Sequence, residues 1–253
     1  DLGHLKFKDN KVKLEKIGWV KLAENRIELQ TANKFYNPRI KFDGFNWFIT
    51  VGIDYQSNNN QEYSEGIGID LGVKDLAVIN DGRKIPNINK SQEIKRLNKK
   101  LKRLQRKLSR KYEKQKEGGV NRYKKTKNII KLECLIRKVH KRIKDIRTNY
   151  LHQETAKLVK TKPEFVCMED LNVKGMVKNH KLSKSIQEQT FSEFRRIIEY
   201  KCKWNNIRFI VADRYYPSSK TCSECGYVLD KLSLSTRKWI CPECGVIHDR
   251  DIN

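Results

Sequence analysis

No stretch of this chain is long and apolar enough to span a bilayer, and no secretory signal opens it, so the reading is a cytoplasmic or nuclear protein with no membrane partner. Acidic side chains are scarce: 30 Asp and Glu stand against 55 Lys and Arg, a net charge of +25. A surface with so one-sided a field favours a polyanion, and nucleic acid is the leading partner. Apolar residues are not in short supply. At 38% of 253 residues they can fill the core of one large domain or two modest ones, which excludes a disordered tail. An initiator Met is missing from DLGHLKFKDN, and the closing DRDIN reads as the start of a helix, so the sequence is expected to be part of a longer one.

Seven cysteines are present, at 134, 167, 202, 222, 225, 241 and 244. The last four form C-x2-C, fifteen intervening residues and C-x2-C, the spacing of a tetrahedral four-thiolate zinc site with Cys222, Cys225, Cys241 and Cys244 as ligands. Each pair is followed by Gly, in CSECG and CPECG, as a tight knuckle requires. Two disulfides are the competing reading, disfavoured where thiols stay reduced. Four thiolates leave no open position, so this zinc is structural. Cys134, Cys167 and Cys202 sit in apolar surroundings and read as small buried hydrophobes.

Residues 1–62 read as β-rich, with a hairpin in RIKFDGFNWFITVGI turning at Asp43-Gly44, a pair suited to a two-residue turn. Trp19, Trp47 and Tyr36 are expected in its core. From Gly66, GIGIDLGV and DLAVIND are two short apolar runs, followed by polar GRKIPNINK.

Residues 91–161 form a helical hairpin broken at Gly118-Gly119. Ile94, Leu97, Leu101, Leu104 and Leu108, and then Leu132, Ile136, Val139, Ile143, Ile146 and Tyr150, recur at spacings of three and four. Residues 91–150 hold 23 Lys and Arg against 5 Asp and Glu. A helix built only for solubility would intersperse carboxylates for i to i+4 support, so this face is assigned to nucleic acid, with Lys95, Arg96, Lys99, Lys102, Arg103, Arg106, Lys107 and Arg110 as contact residues. EFVCMEDL then reads as a buried strand and LNVKGMVKNHKLSK as a basic loop. One helix is expected from about Ile186 to Trp204, followed by a last strand in RFIVAD and by DRYYPSSK leading into the ribbon.

Three acids stand at the ends of apolar segments: Asp70 in GIDLG, Glu169 in FVCMED, and Asp249 or Asp251 in HDRDIN. Converging carboxylates repel unless a cation lies between them. Oxygen ligands suit Mg2+, and two such ions can clamp the attacking and leaving oxygens of a phosphodiester. The ribbon is then an insertion between the last strand and last helix of a catalytic fold.

The order GIDLGV, MEDL, DRYYPSSKTCSECG, CPECG and HDRDIN resembles TnpB, the RNA-guided nuclease family of small transposons, related to Fanzor proteins and type V CRISPR effectors. The resemblance covers the whole chain. It implies an α/β fold, a RuvC domain of RNase H-like type over 63–253 with the basic hairpin (91–161) and the zinc ribbon (218–247) inserted, preceded by a partial wedge-like β-barrel over 1–62 that grips guide RNA. It implies an Mg2+-dependent endodeoxyribonuclease with Asp70, Glu169 and Asp251 as metal ligands and Asp249 as a neighbour near a helix start. The implied partners are a guide RNA from the transposon end and target DNA, met in a prokaryotic cytoplasm at the nucleoid. Full-length relatives carry more wedge and a helical recognition lobe. A nuclease-inactive RNA-guided repressor on the same scaffold is the alternative, but it would be expected to lose a triad carboxylate. GIDLG also opens the actin-like nucleotide-binding fold, but residues 160–220 lack its second Gly-rich phosphate loop. A transposase reading finds no Tyr or His-x-His recombinase motif.

Overall fold

The structure is a computed structural model that describes residues 5–24, 32, 34–54, 62–118, 125–233 and 236–249. Two compact units are present, residues 1–58 and 59–253.

The first unit is β throughout its described parts. Strands β1 (Lys6–Lys8), β2 (Lys11–Leu14) and β3 (Gly18–Lys21) form an antiparallel three-stranded sheet, and β4 (Tyr36–Phe42) pairs with β5 (Trp47–Gly52) as a hairpin. The hairpin connection departs from the expected two-residue turn on Asp43-Gly44. It spans residues 43–46, because the Asp43 carboxylate accepts the N–H groups of both Phe45 and Asn46 while Gly44 takes φ +94°. The aromatic residues expected in a core here are not buried. Trp47 is 72% exposed, Trp19 47% and Tyr36 38%, because a three-stranded sheet and a lone hairpin have too few layers to cover both faces.

The second unit is built on a five-stranded sheet of β6 (Ile67–Leu71), β7 (Asp75–Ile79), β8 (Lys84–Pro86), β9 (Phe165–Glu169) and β10 (Arg208–Ala212), in the order β10-β9-β6-β7-β8. The β6-β7-β8 meander is antiparallel, and β9 and β10 run parallel to β6. This topology is that of the RNase H-like fold, as expected. Strand β8 lies inside GRKIPNINK, which reads as polar because a three-residue strand with one buried side chain, Ile85, leaves no alternation to see.

The predicted hairpin is α1 (Gln92–Glu117) and α2 (Lys127–Lys160). Ser91 and Thr126 cap the two N-termini by accepting the N–H groups of Ile94 and Ile129, and Gly118 caps the end of α1. Leu104, Val139 and Ile143 close the seam, flanked by Leu97, Leu101, Leu132 and Ile136, while Ile94 is fully buried at the base. The C-terminal third of α2 leaves this seam and joins the main core. Leu151, Leu158 and Val159 pack there with Ile67, Ile69, Val166 and Met168 of the sheet.

Two expectations between β9 and β10 change. The basic loop contains a short helix, α3 (Val173–Val177), because the Asn172 side chain accepts Gly175 N–H as an N-cap. The single helix expected over 186–204 is two, α4 (Ser183–Gln189) and α5 (Phe191–Trp204). They are broken at Thr190, which sits in the left-handed region at φ +54°. A β-branched residue held there costs on the order of 1–3 kcal/mol, so something must over-determine it. Gln189, 2% exposed, donates through Nε2 to the carbonyls of Gly72 (3.1 Å) and Val73 (3.0 Å), and a continuous helix would have to give up that placement. Phe191, Phe194, Ile197, Ile198 and Cys202 then line the face of α5 that packs in the main core. Burial pushes the Cys202 thiol up to about 11 and raises that of Cys167, but of the three cysteines expected as buried hydrophobes only Cys202 is buried, Cys134 and Cys167 being half-buried.

Candidate active site

Two groups of chemically distinct residues lie in the second unit. In the ribbon, β11 (Lys238–Ile240) pairs antiparallel with β12 (Ile247–Asp249), and the two knuckles bring the thiols of Cys222, Cys225, Cys241 and Cys244 within 4.8 Å of one another. Gly226 and Gly245 take φ +76° and +71° at the knuckle turns, a conformation that glycine adopts at little cost. The Cys222–Cys244 and Cys225–Cys241 sulfurs are 3.6 Å apart. A zinc–sulfur bond of about 2.3 Å in a tetrahedron demands sulfur separations of about 3.8 Å, so the thiols fit that ion. His248, not named as a ligand from the sequence, is buried with its Nε2 3.0 Å from Cys222 Sγ and its ring packed at a 39° tilt against Trp239, centroids 4.7 Å apart. It is an outer partner of the site.

The second group sits at the carboxyl ends of the parallel strands, where open α/β sheets place their binding crevices. Along β6 and β9 the register runs Ile67↔Val166, Gly68↔Cys167 and Ile69↔Met168. One further step sets Asp70 beside Glu169, on the face opposite the buried isoleucines. Before Asp70, that face of β6 carries only Gly68, with Gly66 just ahead of the strand. A Cβ at Gly66 would meet the tip of the Phe165 ring at 2.2 Å, so any larger residue there must displace that ring. Asp70 is exposed and Glu169 half-buried. Two carboxylates side by side in a basic unit form a hard-oxygen donor set, which suits Mg2+. Asp251 lies outside the described residues. Asp249 closes strand β12, opposite Lys238, and the residues after it, where the helix start is expected, lie outside the described ones.

The surroundings of these carboxylates are ordered by polar contacts that sequence patterns do not reveal. Asn80 zips the start of β6: its Oδ1 accepts Gly68 N–H at 3.1 Å, and its own N–H donates to the Gly68 carbonyl. Gln189 and the side chain of Asn87, which donates to the Val73 carbonyl at 3.0 Å, hold the turn after Asp70. Ser218 Oγ donates to Glu169 Oε1 at 2.9 Å. Asp170, next in chain to Glu169, is gripped by Arg195 Nη1 at 2.8 Å and by Arg214, and the Arg195 and Arg214 guanidiniums hold its carboxyl below the usual carboxylate range. A pocket of 310 Å³ opens here between Leu71, Glu169, Phe191, Arg195 and Glu199.

The eight cationic residues assigned to α1 are all exposed, and among the described residues none of them makes an ion pair. Spaced three and four apart, they cover one broad flank of the helix. No helix of the described residues is long and apolar enough to cross a membrane.

Comparison with known proteins places this arrangement. Residues 49–180 match the OrfB family of IS605, described as a probable transposase, and residues 191–253 match the Cas12f1-like TNB domain. A curated protein of Streptomyces pristinaespiralis, named "Putative RNA-guided DNA endonuclease", is 35% identical over 208 residues, 82% of this chain and 48% of that protein. InsQ of Escherichia coli K12, given the same description, is 28% identical over 261 residues, 97% of this chain and 60% of that protein. The chain thus spans about half the length of the curated relatives it matches. A solved Cas12f1-sgRNA-target DNA complex overlays with a TM-score of 0.47 at 21% identity, covering 85% of this chain and 53% of that one. With the OrfB match extending over more than half of its residues, the chain belongs to the TnpB family.

Proposed function

We propose that this chain carries the nuclease part of an RNA-guided DNA endonuclease, hydrolysing phosphodiester bonds at the carboxyl edge of its five-stranded sheet. The observation that carries the reading is the β6–β9 register, which sets Asp70 beside Glu169 in a unit whose charge is otherwise strongly positive. Asp70, Glu169 and Asp251 would hold the metal, and Mg2+ bound there supplies an activated water and neutralises the charge that develops on the leaving oxygen. The remaining work falls to the chain's own groups. Asn80, Asn87 and Gln189 hold the backbone on either side of Asp70, so its carboxylate is presented without reorganisation. Arg195 and Arg196 line the adjoining pocket and offer cationic donors to a phosphate.

The flank of α1 follows the backbone of a guide RNA or of its heteroduplex with target DNA, reading shape while base pairing supplies sequence. Residues 1–62 act as a partial wedge against the guide, the exposed Trp19 and Trp47 offering surfaces on which bases stack. Zinc in the ribbon is structural. A nuclease of this kind works in the cytoplasm at the nucleoid, where transposon transcripts and target duplex meet. The test is to isolate the chain with its bound RNA, sequence that RNA, and challenge the complex with a matching duplex in Mg2+ or EDTA. Cleavage in Mg2+ alone supports the reading. A copurified RNA whose matching duplex is bound but never cut would leave the repressor in its place.

A further inference from the structure

We infer, building on the nuclease reading above, that Ser218 is a positioning residue for Glu169, and that the segment 213–218 couples the metal affinity of the sheet-end site to the ribbon. After β10 the chain covers nine residues before Cys222, and their side chains sort in an unusual way. Two polar ones, Arg214 and Ser218, turn back to the sheet. Arg214 donates through Nε to the Asp170 carbonyl at 3.2 Å and pairs with the Asp170 carboxylate, and Ser218 donates to Glu169 at 2.9 Å. Asp213 Oδ1 accepts Tyr215 N–H at 2.7 Å, bending the chain between those two anchors, and Thr221 Oγ1 donates to the Pro217 carbonyl at 2.9 Å, closing the turn that leads into Cys222. Meanwhile Tyr215 and Tyr216 are left 86% and 56% exposed. Apolar burial would choose the opposite arrangement, so polar anchoring at the end of β9 decides the path of this segment.

An ionised carboxylate has about four acceptor sites on its two oxygens, so one hydroxyl donor on Oε1 leaves Glu169 able to bind a cation while fixing its rotamer. Outer partners of this kind orient a metal ligand before the ion arrives, and removing one typically costs about 10–100-fold in metal affinity or activity. Ser218 stands four residues before Cys222, so the fold of the first knuckle limits where its hydroxyl can go. The ribbon thereby holds a catalytic carboxylate in place.

The experiment is a Mn2+ titration of the full chain, followed by the electron paramagnetic resonance signal of unbound ion, alongside zinc content and thermal midpoint. Ser218→Ala and Ser218→Val should weaken Mn2+ binding at least about tenfold. Both should keep their zinc, and Ser218→Thr, which restores the hydroxyl, should bind as the parent does. Mn2+ affinity unchanged in Ser218→Ala and Ser218→Val but abolished in Glu169→Ala would overturn the positioning role and leave the nuclease reading standing. Parent and Glu169→Ala binding Mn2+ equally would strike at the metal site itself and take the positioning role with it.

Discussion

The ribbon and the carboxylate edge both bring anionic side chains together, but by different means. Cys222 and Cys225, and again Cys241 and Cys244, have two residues between them within a single turn, so the chain's local geometry half-builds the site before any tertiary contact forms. Asp70 and Glu169 are ninety-nine positions apart and become neighbours only through the β6–β9 register. Soft thiolates in a closed tetrahedron make a site whose binding energy is folding energy, whereas hard carboxylates at an open sheet edge leave room for water and substrate. On the proposed reading, stability sits in the local cluster and chemistry in the long-range one.

The largest expected effect breaks the chemical side of that contrast. Asp70→Ala, Glu169→Ala or Asp251→Ala should each abolish cleavage while guide and target binding persist, because ligands of one metal site act as a unit rather than as additive fractions. A cleavage assay beside a filter-binding assay checks this; wild-type cleavage by Asp70→Ala would remove the mechanism.

On the stability side, Cys222→Ser or Cys241→Ser should release zinc, measured by elemental analysis, and unfold the ribbon. Structural zinc contributes on the order of 10 kcal/mol at such sites, so its removal should be visible as an early melting transition. Retention of one zinc per chain in both variants would break the comparison, since the thiols would then not be its ligands.

A smaller change is expected on the basic flank, which belongs to neither site. Charge-neutralising substitutions at Lys99, Arg103, Arg106 and Arg110 should weaken binding to any nucleic-acid sequence and reduce the salt slope by roughly 0.7–0.9 for each phosphate that is no longer neutralised. An unchanged slope would return this face to plain solvation.

Acid titration sharpens the contrast further. Arg195 and then Arg214 depress the Asp170 carboxyl, so the stability it contributes is complete above its ordinary value of 3.8 and disappears as pH falls below that. The thermal midpoint should therefore drop with acidification below about pH 4, and Asp170→Asn should flatten that drop. Asp249→Ala should show the least. Its residue closes a ribbon strand opposite Lys238, so the expected cost is about 0.2–1 kcal/mol of ribbon stability with cleavage retained. Abolished cleavage there would make Asp249 the third metal ligand.

How much of this was readable in advance depends on the range over which each feature is decided. The hairpin helices and the central strands announce themselves by periodicity within ten or twenty residues, and β6, β7, β9, β10, α1 and α2 stand where that patterning puts them. Features decided by contacts across the unit do not. Thr190 breaks a helix because Gln189 is held by Gly72 and Val73, more than a hundred residues earlier in the chain. Asp170 looks like Glu169 in MEDL, yet the structure pairs it with two arginines from α5 and the segment after β10, while Glu169 meets a serine. Exposure of Trp19 and Trp47 was hidden because an aromatic residue in an alternating strand reads as core whether or not a facing layer exists.

What the sequence by itself determined is the chemistry available: four thiolates at zinc spacing, carboxylates emerging from apolar strands, and a helix flank of one charge sign. Residue type and short spacing suffice for these. Only the tertiary structure decided that Asp170 becomes a salt-bridged anchor, and that the ribbon's first turn reaches back to Glu169. Side-chain partners are chosen by register and by packing between segments far apart in the chain, where local pattern carries no information.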